Sequence, residues 1–331
     1  MQVAKVVVDG YHLARSIPAC MKPTLLALLL SAVTASAEVT FELSPNWLTP
    51  PPGKETIGNG HGEIAVDSAG NVYVSVQEKD AGIQVYGKDG KFIKALPLPP
   101  TLHGFVVRKD GDGEFIFAAV LGEQKVIKAN LDGTVVMTIP TSEFPADKIG
   151  KGLKLTNCDV APNGDIYVVD GYGADWIFVF GRDGKFKKVF GGRVEPLKLA
   201  NAHKIFIDRR FEPARVMVCD RGNKRLLHLD LEGNLIKEIA SGLRNPSSAS
   251  FHGDLMCIAE IAGRVSIFDK EGKMVAELGT NPKTTNTPGI EPKDWQTGIV
   301  TSPHGITFDN DGNVLETEWN KWGRVLRWTR K

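Results

Sequence analysis

Three of the seven histidines open similar phrases, His103-Gly-Phe-Val-Val, His203-Lys-Ile-Phe-Ile and His304-Gly-Ile-Thr-Phe, each setting an imidazole just ahead of an apolar run. Zinc favours imidazole nitrogen, and three protein ligands with a position left open is the pattern of a catalytic rather than a structural site. A lone histidine before a strand is more often a turn or packing residue; recurrence at one position is what favours a metal. His61 heads a comparable stretch one residue out of register, a fourth ligand or a rim residue, while His228 and His252 fall elsewhere in their phrases and read as ordinary. A second shared position carries Tyr172, in Asp170-Gly-Tyr172-Gly, and Arg221, in Asp220-Arg221-Gly-Asn-Lys-Arg225. At that position each reads as loop packing as readily as a functional group beside the imidazoles. Asp170 and Asp220 read as holders of loop amides, and Asn223 and Arg225 as ties between repeats.

Whether these residues meet depends on the elements that carry them. A unit of apolar run, Asp or Asn with Gly, and second apolar run recurs from Ile64, Phe105, Asp159, Ile205, Ala249 and Ile306. Most copies continue with a third run and a turn, at Asp89-Gly90, Asp132-Gly133, Asp183-Gly184, Glu232-Gly233 and Glu271-Gly272, where the positive φ of a tight hairpin is required. Four short strands per unit at a period of about 40 to 55 residues predict an all-β, six-bladed β-propeller. No stretch has a convincing helical period. The sixth unit runs out after three strands, so Val39-Thr-Phe-Glu-Leu43 is expected to supply its fourth strand and close the ring without an open edge.

In a propeller the first strand of each blade lines the central channel. The aligned position there reads His103, Asn157, His203, Ser247 and His304 in blades two to six. Alternate blades stand about 120° apart, so the three imidazoles should converge on the axis. The first two strands of a blade are antiparallel, which puts Tyr172 and Arg221 at the same channel mouth. The connections at 140–156, 191–202 and 279–303 should border that mouth, with Trp319 and Trp322 near it.

The rest of the sequence bounds the setting. Its 331 residues are 42% hydrophobic and 24% charged, ordinary for a globular protein. Forty Lys and Arg against 39 Asp and Glu give a net charge of +1, which favours neither nucleic acid nor anionic lipid as a partner. Residues 21–37 read as a secretory signal peptide, with Lys22 before an apolar run and Ala35-Ser36-Ala37 as the cleavage site. The run is too short to span a membrane, for which about 20 apolar residues are needed. Met21 is the expected initiator, residues 1–37 a leader, and 38–331 a single secreted or periplasmic domain. Cys158, Cys219 and Cys257 then remain, an odd number without metal-knuckle or redox spacing, and read as buried free thiols rather than a disulfide framework.

Over roughly residues 55 to 330 the units resemble NHL repeats, best seen in Val218-Cys-Asp220-Arg-Gly-Asn223-Lys-Arg225-Leu-Leu. More narrowly, the chain is similar to the lyase domain of peptidylglycine α-amidating enzymes, a six-bladed propeller with zinc in its channel. That resemblance implies zinc ligands at His103, His203 and His304, a catalytic tyrosine at Tyr172 and an active-site arginine at Arg221. It implies as substrate a small molecule or peptide C-terminus bearing a hydroxyl at the channel mouth. Two positions depart from the family. Its other arginine falls at about Gln77, which weakens a carboxylate clamp because guanidinium holds carboxylate through a bidentate fork. Its calcium-binding aspartate is Gly305, so calcium is not expected. The leading expectation is an exported zinc-dependent lyase-like enzyme. The rivals are a non-enzymatic NHL propeller binding a protein or glycan, and a sugar-lactone hydrolase, whose calcium sites of Glu, Asp and Asn fit the histidine-rich position poorly.

Overall fold

The apolar runs are short, rich in Val, Ile, Phe and Tyr, and cut by turn residues, so each repeat can only form an antiparallel meander. The computed structural model describes residues 39–79, 82–285 and 287–331; the predicted leader, 1–37, and its signal peptide lie outside the described residues. Six four-stranded antiparallel sheets follow one another along the chain, five of them in simple sequence order. Their first strands are Ile64–Val66, Leu102–Asp110, Asn157–Val160, Ala202–Asp208, Pro246–His252 and Pro303–Phe308. In the sixth sheet the outermost strand is Phe41–Ser44, with Phe41 opposite Arg330 and Ser44 opposite Arg327 on Arg324–Arg330. The described helices are single turns within connections, Ala146–Ile149 being the α-helical one. No helix among the described residues is long and apolar enough to cross a membrane.

The turn between third and fourth strands differs in detail from the sequence expectation. Gly90, Gly133, Gly184, Gly233 and Gly272 have φ between 78° and 94°, but the acidic residue before each is absent from the positive-φ positions. In the Asp-Gly turns that carboxylate instead accepts the amide two residues on, Asp89 Oδ1 from Lys91 N (3.2 Å), Asp132 Oδ1 from Thr134 N (2.8 Å) and Asp183 Oδ1 from Lys185 N (3.1 Å), whereas in the Glu-Gly turns Asp230 Oδ1 accepts Asn234 N (2.8 Å) and Asp269 Oδ1 accepts Lys273 N (2.8 Å). The hairpin is therefore a type I turn followed by one left-handed glycine, which shifts the register by a residue at Tyr86 and Phe180.

Apolar cores fill the wedges between neighbouring sheets. Ile83, Leu96, Phe105 and Ile116 join blades one and two; Ile177, Val179, Ile205 and Val216 join three and four; Cys257, Ile267, Ile306 and Val314 join five and six. Each such side chain, fully buried, contributes roughly 1.5–3 kcal/mol. Cys158, Cys219 and Cys257 are free and buried in these layers, as small hydrophobes. The wedges hold the sheets radially, so every first strand faces the axis.

Candidate metal centre and channel pocket

Four first strands carry a β-bulge at the same place. The register skips between Leu102 and Gly104, Ala202 and Lys204, Pro246 and Ser248, and Pro303 and Gly305. The skipped residues are His103, His203, Ser247 and His304. A bulge bends its strand and re-aims a side chain, and here it turns two successive residues of each strand to the axis. In blade one the spacer Gly62 has the corresponding effect, which accounts for the offset of His61.

The three aligned imidazoles form a nearly equilateral triangle, with ring centroids 5.2 Å apart for His103 and His203, 5.0 Å for His103 and His304, and 4.8 Å for His203 and His304. All three are fully buried. Each Nδ1 meets a main-chain carbonyl of the next blade: His103 with Thr156 (2.8 Å), His203 with Ser247 (2.7 Å) and His304 with Gly62 (2.7 Å). A nitrogen facing a carbonyl must carry the proton, so Nε2 keeps its lone pair toward the channel. His304 Nε2 is buried with no partner among the described residues. Burial, seconded by neighbouring positive and imidazole groups, holds all three pKa values well below the ordinary histidine range. Neutral imidazoles of fixed tautomer with inward lone pairs are a donor set that suits zinc.

His61 joins them from the rim. Its ring lies 4.8 Å from His304 and 5.1 Å from His103, under Trp319 at 5.3 Å. Candidate ligand atoms of His61, His103 and His304 all lie within 4.8 Å of one another. Burial, more than the nearby Lys204, lowers the His61 pKa to about 4, against a hydrogen bond with Gln77. The Tyr172 hydroxyl stands on the other side, 2.9 Å from His203 Nε2 and 3.2 Å from His103 Nε2, and its one proton is donated to one of them at a time. Burial raises the phenol pKa; Arg221, whose guanidinium carbon is 5.5 Å from the ring centre, opposes that. The protein's own groups thus hold Tyr172 above its ordinary pKa.

Tyr172 sits on a tight loop after the second strand of blade three. Asp170 holds it by accepting the amides of Lys154 and Ala174. Gly171 has no room for a side chain: a Cβ there would lie 2.3 Å from the Ala202 carbonyl and 2.5 Å from Thr156 Oγ1. Asp220 does the same work in blade four, accepting Ala200 N (2.9 Å), Asn223 Nδ2 (2.8 Å) and Arg225 Nε (2.7 Å). Arg221 is held by Asn201 Oδ1 at 3.2 Å. Gln77 occupies the matching place in blade one, its amide on Asn59 O as that of Arg221 is on Asn201 O.

His61, Tyr172, Arg221 and Trp319 line a pocket of about 410 Å³ together with Asn245, Ile261, Ala262, Thr284 and Thr285; His103, His203 and His304 are not among its lining residues. Of the long connections, 279–303 supplies Thr284 and Thr285, whereas 140–156 and 191–202 contribute no lining residue. Trp322 is likewise outside the lining. Sequence reasoning missed Ile261, which follows the second strand Leu255–Glu260 as Arg221 follows Arg215–Asp220, and Asn245, which precedes the first strand of blade five as Asn201 precedes that of blade four. It also missed Glu63 and Lys204 beneath the imidazoles, for which the bulge left no signal.

No family model matches the chain. Among solved structures it is similar to a streptogramin B lyase, with 16% identity over 88% of this chain and 98% of that one at a TM-score of 0.58. It is similar to a catalytically inactive histidine-to-alanine variant of virginiamycin B lyase from Staphylococcus aureus with quinupristin, at 17% identity, 85% and 83% coverage and a TM-score of 0.54. A luciferin-regenerating enzyme shares 12% identity over 82% of this chain and 92% of its own, with a TM-score of 0.59. At such identities the likeness shows the fold, a six-bladed β-propeller, and no more.

Proposed function

We propose that the chain is an exported, zinc-dependent, lyase-like enzyme acting on a small molecule or peptide C-terminus that carries a hydroxyl. The observation that supports this most is the triangle of buried imidazoles, each fixed through Nδ1 to a main-chain carbonyl of the next blade and standing beside a phenol. His103, His203 and His304 would hold the metal. When bound, zinc would supply the Lewis-acid charge that polarises a substrate hydroxyl or carbonyl and draws the Tyr172 phenol down. As the phenolate, its own proton released to solvent, Tyr172 would take a proton from the substrate at its Oη. Arg221 would bind an anionic group at the pocket wall, and Trp319 with Ile261 would exclude water from the opposite side. The NHL-like repeats and the resemblance to amidating lyases give the reading its reaction class, cleavage of a carbon–nitrogen bond beside a hydroxyl. Gln77 at the place of a second arginine narrows the claim: a single guanidinium offers one anion contact, so the substrate is described by its hydroxyl and charge. The lyase activity named for the propeller neighbours is compatible with this class.

Elemental analysis of purified protein tests the proposal. One equivalent of zinc is expected, lost in His203→Ala, with both proteins equally folded by circular dichroism. A folded protein that never takes up zinc would favour a non-enzymatic binding propeller instead.

A further inference from the structure

Directly beneath the imidazoles the axis is crossed by an ion pair between opposite blades. Glu63 follows Gly62 in blade one, and Lys204 follows His203 in blade four. Lys204 Nζ donates to Glu63 Oε2 at 2.9 Å and to the carbonyls of Gly62 and His304, both at 3.3 Å. Glu63 Oε2 also accepts Ser248 Oγ at 2.8 Å, and Oε1 accepts the amides of Ile306 (3.0 Å) and Ile64 (3.1 Å). The Lys204 side chain is wholly excluded from solvent and that of Glu63 is 2% exposed. Burial pushes Glu63 up and Lys204 down, and their mutual attraction opposes both shifts. Gly305 lets the carboxylate in: a Cβ there would stand 2.7 Å from Glu63 Oε1 and 2.8 Å from Thr317 Oγ1.

Such a pair is poor evidence for stability, because desolvating two charges offsets most of their attraction. Its contacts show what it holds. The Gly62 carbonyl that Lys204 binds is the acceptor of His304 Nδ1, and the second carbonyl belongs to His304 itself. The Ile306 amide on Glu63 pins the same strand two residues on. Ser248, the fourth partner, adjoins Ser247, whose carbonyl accepts His203 Nδ1. His103 stands apart, since its acceptor is Thr156 O in blade three.

We propose that the Glu63–Lys204 pair is a positioning device that fixes the orientation of the His304 imidazole from below the channel. Its consequence for zinc rests on the metal reading above; its consequence for the ring does not. The test uses E63Q/K204M, in which Met keeps the lysine stem and Gln keeps an acceptor, so no charge is left buried alone. In metal-free protein labelled with nitrogen-15, the slowly exchanging Nδ1–H signals of His103 and His304 are identified by their loss in His103→Ala and His304→Ala. The expected result is that E63Q/K204M loses the His304 signal and keeps that of His103. Zinc affinity, measured by competition with a chromophoric chelator, should fall about 10- to 100-fold, the usual effect of removing an outer-shell partner. Lys204→Arg, which retains the ammonium-like donors, should preserve the His304 signal. Should E63Q/K204M not fold, E63Q/K204Q, which likewise leaves no charge buried alone, carries the same two measurements. A His304 signal unchanged in the variant overturns the proposal whatever the zinc result, and so does unchanged zinc affinity where the unaltered protein binds zinc. Loss of the signal in a protein that binds no zinc supports the positioning role and removes the metal reading alone.

Discussion

A phenol placed between two unprotonated imidazole nitrogens is oriented as an acid, giving its single proton to one or the other, and Tyr172 becomes a base only when those nitrogens are otherwise engaged. With burial raising its pKa and Arg221 lowering it, the side chain is protonated at neutral pH in the protein alone. Tyr172→Phe removes the hydroxyl from His203 and His103 while leaving all three Nδ1 anchors in place. The expected outcome is unchanged zinc content, a stability change of about 1 kcal/mol for one lost hydrogen bond, and no turnover of a hydroxyl-bearing substrate. Retained turnover would remove Tyr172 from the chemistry. At this scale the sequence was informative where the repeat position alone decides placement, as for His103, His203 and His304. It was silent on Lys204 and Glu63, whose side chains meet across blades separated by 141 residues.

At the scale of elements, the site depends on bends rather than on regular strands. The bulges aim the histidines, and the Asp170–Asp175 turn aims Tyr172. Asp170 accepts two amides there, those of Lys154 and Ala174. Asp170→Ala leaves both without partners in a part-buried loop, a loss expected to cost about 1–3 kcal/mol and to show as a lower urea midpoint at unchanged slope. Turnover should fall further than zinc binding, because the loop carries the phenol and no imidazole. An unchanged midpoint would mean that the turn is held by its glycines and neighbouring backbone alone. The hairpins were legible in Asp-Gly and Glu-Gly pairs, since few residues other than glycine tolerate left-handed φ. The bulges were not, because they arise where consecutive strands pair and leave no mark of residue type. Serine fills the bulge position in blade five as readily as histidine does elsewhere.

At the scale of the whole ring, one buried acid lacks any hydrogen-bond partner among the described residues. Glu316 is fully buried and neither carboxylate oxygen has a partner among the described residues. Burial, with the like charge of Glu318, raises its pKa well above the ordinary carboxylate value, while Arg324 opposes this. The folded protein therefore retains a proton that the unfolded chain releases above about pH 4.3. Ionisation then favours the unfolded state, so this group reduces stability as pH rises from that point toward its folded pKa. Glu316→Val should stabilise the protein by about 1–3 kcal/mol at pH 7, with a smaller gain at pH 4, measured by urea unfolding. A gain that does not grow with pH would show that Glu316 is not neutral in the fold. Six-fold repetition was plain in the sequence because every blade needs the same alternation of apolar run and turn. An acid at a core position of one blade breaks that alternation without changing the register, so the pattern survives it.

The axial ion pair has a consequence for traffic. With Lys204 and Glu63 filling the lumen, the propeller is a cul-de-sac rather than a tunnel. A second hollow, of about 460 Å³ and bordered by Glu63, Phe206 and Phe251, opens on the far side of that plug. A ligand in the pocket beside Trp319 would leave by the mouth it entered, so a product has to clear it before the next molecule can come in.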